Sequence, residues 1–264
     1  MQTTSALFKA LWATPNHWSE VKVNIAGTDY FENQLMSVSI QSDAFSANKL
    51  TIGAAPIGSC RVELIVDDMT GLDLSNQIPN GSKVIVYERL HGTLFTAVDC
   101  IVGQVQVGVA VAGGTALTQE ATSEWLIQGT YYVDMRDSLS TTGVLTLDCV
   151  DIMAKADAMF PSMITPYDVL PDNYIVNTIA SNMGVAVDPT TSNIVRGQYN
   201  VPIPTDYTMR EVLGHIAASY AGNFVITKDE KLLLLQYISL PSSTSYLITE
   251  NGVGITVGGD HIIV

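Results

Sequence analysis

The chain has 264 residues, 47% of them hydrophobic and 14% charged, with 26 acidic residues against 12 basic and a net charge of −14. Mean hydropathy is +0.25 and the isoelectric point is near 4.4. Such a composition excludes a disordered chain, which needs low hydrophobicity and more charge per residue, and it argues against a surface built to neutralise phosphates, because that affinity comes from Lys and Arg displacing counterions.

The length suits one large or two medium cores, and two domains is the expected count. Residues 1–155 carry 8 basic and 16 acidic side chains, and residues 156–264 carry 4 and 10, so the acidity is spread and forms no tail. Cys60, Cys100 and Cys149 lack CxxC spacing and lie in or beside apolar runs, which reads as small buried hydrophobes and not as a zinc or redox site. Met1–Thr4 have no basic region with an apolar core behind it, so no secretion signal is expected. The longest uncharged stretch, between Asp99 and Glu120, contains four glycines and three glutamines, and membrane insertion is not expected from it.

In chain order, Phe8, Leu11, Trp12 and Trp18 form an apolar cluster ahead of the first strand, read as a short helix on the sheet or an arm that docks on a neighbouring subunit. From Val21 to about Cys149 the hydrophobic period is two, in short runs separated by turn residues: Val21–Ile25, Val38–Ile40, Arg61–Val66, Lys83–Tyr87, Trp125–Asp134 and Gly143–Asp148. Gln104–Val109 alternates strictly, with Val105, Val107 and Val109 on one face, and Gly113-Gly114 behind it marks the reversal of a long hairpin. Strands spaced this regularly predict a closed barrel or a sandwich.

Near Asp148 the pattern turns helical. Asp151–Met159 is rich in helix formers and stops ahead of Pro161. Pro171-Asp172-Asn173 opens a second helix whose Ile175, Val176, Ile179, Ala180 and Met183 share a face, with Gly184 as its stop. Thr208-Met209-Arg210-Glu211 fits a capping box, and Met209, Val212, Leu213, Ile216, Ala217 and Tyr220 form an apolar stripe closed by Gly222. Each of these two helices leads through glycine into a strand. A polar turn at Lys228–Lys231 then predicts a hairpin from Asn223–Thr227 to Leu232–Tyr237, and further strands are expected at 246–249, 254–257 and 261–264.

The chain carries no G-x-S-x-G elbow, H-E-x-x-H pair, Walker loop or EF-hand loop. Its four histidines lie in separate segments with no partner at ligand spacing, and no metal or cofactor is expected. Asp148 and Asp151 are a conceivable acid–base pair, but a carboxylate where a strand hands over to a helix is better read as a cap. Asp67, Asp68 and Asp73 read as a solvated turn. Trp125 and Tyr131, with Tyr132, are candidates for a sugar-stacking platform or for interface aromatics.

Five segments taken together, Thr51–Ala55, Ile78–Val84, Trp125–Asp134, Leu145–Asp157 and Thr208–Phe224, resemble in order and spacing the baseplate or tail hub proteins of bacteriophages, including the N-terminal hub region of tail-associated lysins. The resemblance implies an α+β, mainly β chain: an antiparallel β-barrel hub domain over 1–158, a smaller α+β domain over 159–239, and strands at 240–264 that start a second barrel from about Leu247. It implies a homotrimeric ring, at the virion tail tip, that continues the tail tube and passes DNA without binding it specifically or altering it chemically. Its partners would be tail tube and distal tail proteins, with a tape-measure contact, and synthesis would be in the bacterial host cytoplasm. Trp12, Trp18, Val105, Val107, Val109, Trp125 and Tyr131 are the interface or platform candidates. The alternatives are a carbohydrate-binding tail-tip module and a peptidoglycan hydrolase.

Overall fold

The computed structural model describes residues 4–41, 51–65, 78–98, 115–137, 143–161, 169–202, 206–237, 256–257 and 260–261. The chain is α+β and mainly β, dominated by one eight-stranded antiparallel sheet. Helix α1 (Ala6–Trp12) precedes β1 (Trp18–Ile25), β2 (Thr28–Tyr30), β3 (Leu35–Gln41), β4 (Ser59–Ile65), β5 (Lys83–Val98), β6 (Thr115–Thr122), β7 (Leu126–Arg136) and β8 (Val144–Val150). Their lateral order is β2-β1-β5-β7-β8-β4-β3, with β6 beside β5.

The alternation read from the sequence sets this sheet's inner face. Val23 and Ile25 on β1, Val62 and Leu64 on β4, Val84 and Val86 on β5, Val133 on β7 and Leu145 and Leu147 on β8 are all buried in one core. Because β1 near one edge and β4 near the other feed the same cluster, the sheet curls around it. Residues 31–34 join the two edge strands, and the Gln34 carbonyl accepts from the Ile65 amide at 2.8 Å. No β2–β3 ladder closes the barrel among the described residues.

The β1–β2 connection is a two-residue loop with Ala26 at φ 50° and Gly27 at φ 92°. Two positive φ values are the type I′ signature whose twist matches the strands, and Asn-Gly suits it best. Ala26→Asn is therefore expected to stabilise the chain by about 1 kcal/mol, measured as a higher denaturant midpoint with an unchanged slope.

β5 is longer than the sheet that flanks it. Residues 83–91 lie between β1 and the β7/β6 side, but from Gly92 to Val98 the strand pairs, among the described residues, with β6 alone, as a two-stranded ribbon running from Gly92↔Ala121 to Val98↔Thr115. Val105, Val107 and Val109 lie outside the described residues, as do Cys100, Asp67, Asp68 and Asp73.

The second core gathers a 3₁₀ helix (Ile152–Asp157), β9 (Val169–Pro171), α2 (Asp172–Met183), β10 (Ala186–Val187), α3 (Pro189–Ile194), β11 (Asn200–Pro202), α4 (Met209–Ser219), β12 (Gly222–Ile226) and β13 (Lys231–Gln236). Leu213, Phe224, Leu232 and the five predicted apolar residues of α2 are buried here, and so is Ala55 from ahead of β4. The capping box of α4 forms as predicted, and Gly184 ends α2 in the left-handed region at φ 80°. The end of α4 differs from expectation. The helix stops at Ser219, Ala221 takes the left-handed conformation at φ 50°, and Gly222 is already the first residue of β12. Residues 152–157 form a 3₁₀ and not an α-helix; the backbone is already extended at Ala158, and Met159 bridges to Thr208 where the sequence pattern predicted helix. Two residue pairs link β14 (Thr256–Val257) and β15 (Asp260–His261), and the remaining predicted C-terminal strand residues lie outside the described residues.

Candidate functional site

Helix α1 is held by polar contacts at its start and an apolar one at its end. The Ser5 hydroxyl accepts from the Phe8 amide at 3.0 Å, and the Ser5 amide and hydroxyl donate to the two Glu124 oxygens at 2.8 and 2.6 Å. Leu11 is fully buried and lies against Gly92 of β5, so the apolar cluster ahead of β1 is a helix packed on the sheet. This packing leaves Trp12 outside. It is 60% exposed, with Phe8 stacked at 6.3 Å on one side and His17 at 5.4 Å on another.

Between α1, the start of β7 and the β12–β13 hairpin lies an open groove of about 700 Å³, with Phe8, Trp12, Leu126 and Leu233 among its lining. The hairpin is fastened to the large sheet at the groove's edge. Lys228 Nζ donates to Gln128 Oε1 at 2.6 Å, Tyr132 donates its hydroxyl proton to Glu230 Oε1 at 2.6 Å, and Lys83 pairs with Glu230 Oε2. Burial and the Glu230 carboxylate together push the Tyr132 phenol up to about 12. These partners are 98 to 147 residues apart in the chain, and no local pattern marked them.

The remaining sequence candidates do not converge on this groove. Trp18 is 54% exposed and stacks on His91 at 4.0 Å, with planes 7° apart. Trp125 is half-buried under two cations, the Arg89 guanidinium 4.3 Å and the Lys22 ammonium 5.0 Å from its ring centre. Glu20 ties this outer face together by accepting from Arg89 Nε and lying 2.6 Å from His91 Nε2, and the bond from Arg89 chiefly holds its carboxyl below the usual range. Tyr131 is 3% exposed and faces the sheet's core, so its ring offers no surface to a sugar or a partner; burial raises its phenol far above the ordinary value. Adjacent positions on a strand point to opposite faces, which sends Tyr132 outward to Glu230 and Tyr131 in.

The acidic candidates do not act as a pair. Asp148 is on β8, bound two-pronged by Arg61 at 2.7 and 3.2 Å on the exposed face, so it is an ion-pair partner and not the expected cap. Asp151 is the cap. Its oxygens accept from the Met153 amide and the Gly58 amide, each at 2.9 Å. Burial outweighs these bonds and raises the Asp151 carboxyl from 3.8 to about 6. A carboxyl with a raised folded value favours the fold most when protonated. The stabilisation is complete below about pH 4 and is lost as pH rises to about 6, by on the order of 3 kcal/mol. Asp151→Asn is expected to remove that decline, seen by comparing unfolding midpoints of both proteins across this range.

Cys60 and Cys149 face each other across the β4–β8 ladder as free, buried thiols, each raised to about 12 by burial. A second cavity of about 380 Å³ lies between β11 and α4, where exposed His215 meets Tyr207 edge-on at 5.5 Å. Among the described residues no three His, Cys, Asp or Glu side chains are placed to hold a metal ion, and no helix is long and apolar enough to cross a membrane.

Among solved structures, the chain is similar to the 43 kDa tail protein of prophage MuSo2 from Shewanella oneidensis, with a TM-score of 0.48 and 14% identity over 88% of this chain and 59% of that one. It is also similar to a tail protein from Neisseria meningitidis MC58, with a TM-score of 0.46 and 15% identity over 82% of this chain and 51% of that one. The chain thus spans between half and three-fifths of the length of these two proteins. No protein-family model matches it, and neither does any curated protein.

Proposed function

We infer that the chain is a structural, non-enzymatic component of a phage or prophage tail, a homotrimeric hub at the tail tip whose ring continues the tube and lets DNA pass unaltered. The domains are proposed as an N-terminal hub domain over 1–158, an α+β domain over 159–239, and strands of a second barrel over 240–264. One observation carries the assembly reading: the β5–β6 ribbon beyond His91, where, among the described residues, two strands have only each other. Isolated two-stranded ribbons are marginal in water and their open edges template pairing with another chain, so this feature belongs to a protein that is covered by neighbours. The order and spacing of the five motif segments supply the class of assembly. The net charge of −14 suits a conduit to which phosphates must not adhere.

Imaging of the purified chain tests this reading. Threefold particles with a central hole, together with no clearing in a peptidoglycan zymogram, are expected. Compact particles without a hole, or a clearing that Asp148→Asn and Asp151→Asn abolish, would overturn it.

A further inference from the structure

The β12–β13 hairpin turns through Lys228, Asp229 and Glu230, with the Thr227 amide donating to the Lys231 carbonyl at 2.9 Å across its base. Glu230 sits in the left-handed region at φ 57°. A hairpin loop of this length asks for that conformation at its last position, and glycine takes it without steric cost. Glutamate there is strained, and such strain persists where other contacts over-determine the residue. The side chain supplies them. One Glu230 oxygen accepts from the Tyr132 hydroxyl and the other pairs with Lys83, both on the large sheet, while Lys228 of the same turn reaches Gln128. Glycine would suit the turn and lose every contact that Glu230 makes.

Two passages of the chain between the cores lie side by side. Residues 51–55 run along β12, and Ala55 is buried in the second core, so the chain enters β4 of the large sheet through residues 56–58. It returns through Asp151, between β8 and the 3₁₀ helix. The two passages are bonded to each other, the Asp151 amide donating to the Gly58 carbonyl at 2.8 Å and the Gly58 amide to Asp151 Oδ2 at 2.9 Å. Beside them Ile57 and Tyr132 pack on the second core, with Lys155 Nζ 5.9 Å from the centre of the Tyr132 ring. Further along, the groove of about 700 Å³ separates the hairpin from α1 and the start of β7.

We propose that the hairpin tip is a latch in which Glu230 holds the second core against the large sheet. Its release lets the second core swing about the paired passages at Gly58 and Asp151 and widens the groove. Hinges of this kind absorb the motion at a few connecting residues, and cores within one chain move relative to each other unless a large apolar interface joins them. The groove is the gap in such an interface, and what spans it at the tip is polar: a partly exposed ion pair and two hydrogen bonds. Contacts of this type add little in water, so a closed and an open arrangement lie close in free energy. Every group in the device belongs to one chain, and it stands independently of the trimeric reading.

Pulsed electron paramagnetic resonance on the full chain tests the latch, with spin labels on Lys9→Cys in α1 and Ser181→Cys in α2, both exposed positions. Cys100→Ser removes one native thiol, and Cys60 and Cys149 are buried. Labelled chain is mixed with excess unlabelled chain, so that distances are read within one molecule. With the latch intact a single narrow distance is expected. Glu230→Gly is expected to raise the fraction at a second distance by about tenfold or more, with unchanged circular dichroism. Tyr132→Phe combined with Lys83→Met leaves the turn itself untouched and is expected to do the same. If Glu230→Gly does not fold, that double variant decides the matter. An unchanged single distance in Glu230→Gly with its fold kept, or in the double variant, would overturn the latch by showing Glu230 to be a turn residue only. Two distances of similar weight in the chain with Glu230, Tyr132 and Lys83 in place would overturn it as well, because the tip would then not be holding the cores together.

Discussion

Gly222→Ala is expected to destabilise the chain by about 3 kcal/mol, because a methyl group added there meets backbone and not a side chain that can swing aside. The new carbon would sit 2.3 Å from the Leu235 carbonyl oxygen and 3.0 Å from its carbon. Gly222 opens β12 opposite Gln236, and its own carbonyl accepts from the Gly53 amide at 2.9 Å, so moving β12 away from β13 disturbs both flanks of the strand. Gly184→Ala is the control. That position has a positive φ of 80° and nothing within 4 Å of an added carbon, so its cost is conformational only, about 1 kcal/mol. Chemical unfolding of the two variants side by side checks the claim, and equal losses would contradict it.

Asn223→Ala is expected to cost about 3 kcal/mol, as a buried two-way hydrogen-bonding group is lost. Asn223 is fully buried; its amide donates to the Thr51 carbonyl at 2.6 Å and its carbonyl accepts from the Ala54 amide at 2.9 Å. Around it the Phe224 amide donates to the Ala54 carbonyl at 2.9 Å, so residues 51–55 lie along the free edge of β12 almost as an added strand. Those residues lead directly into β4 of the large sheet, and the side chain of Asn223 is one of the pins between the two cores. Faster hydrogen exchange at the Gly53 and Phe224 amides, with the centre of β5 unchanged, is the expected local signature. Uniform loosening of the whole chain would show that the pin is not local.

What could be read from the sequence follows the range of the physics involved. Period-two alternation placed β1, β4, β5, β7 and β8 and their inward faces, because a one-residue slip would expose every apolar side chain of a strand. The capping box at Thr208 and the stop at Gly184 were legible because they join residues within one turn of each other. Asp148 showed the limit: its place near a helix start suggested a cap, whereas Arg61 across the ladder claims it. The partners of Asn223 and Glu230 lie roughly a hundred or more residues away, and residue identity alone gives no sign of which distant strand will arrive. The groove was invisible for the same reason, although Trp12, its exposed aromatic, was already a candidate.

α1 and the ribbon also explain why aromatic content alone misled. Trp12 and Trp18 stand out from the sheet while Tyr131 turns into the core, and Trp125 is covered by Arg89 and Lys22. Side-chain chemistry names the residues able to form a surface; the register of β7 and the docking of α1 decide which of them reach it.

The most direct test of the assembly is the absolute mass of the unmodified chain by light scattering across a wide range of concentration. A particle of three times the 28.4 kDa chain mass that persists on dilution is the expected result. A mass of one chain throughout that range would contradict the ring.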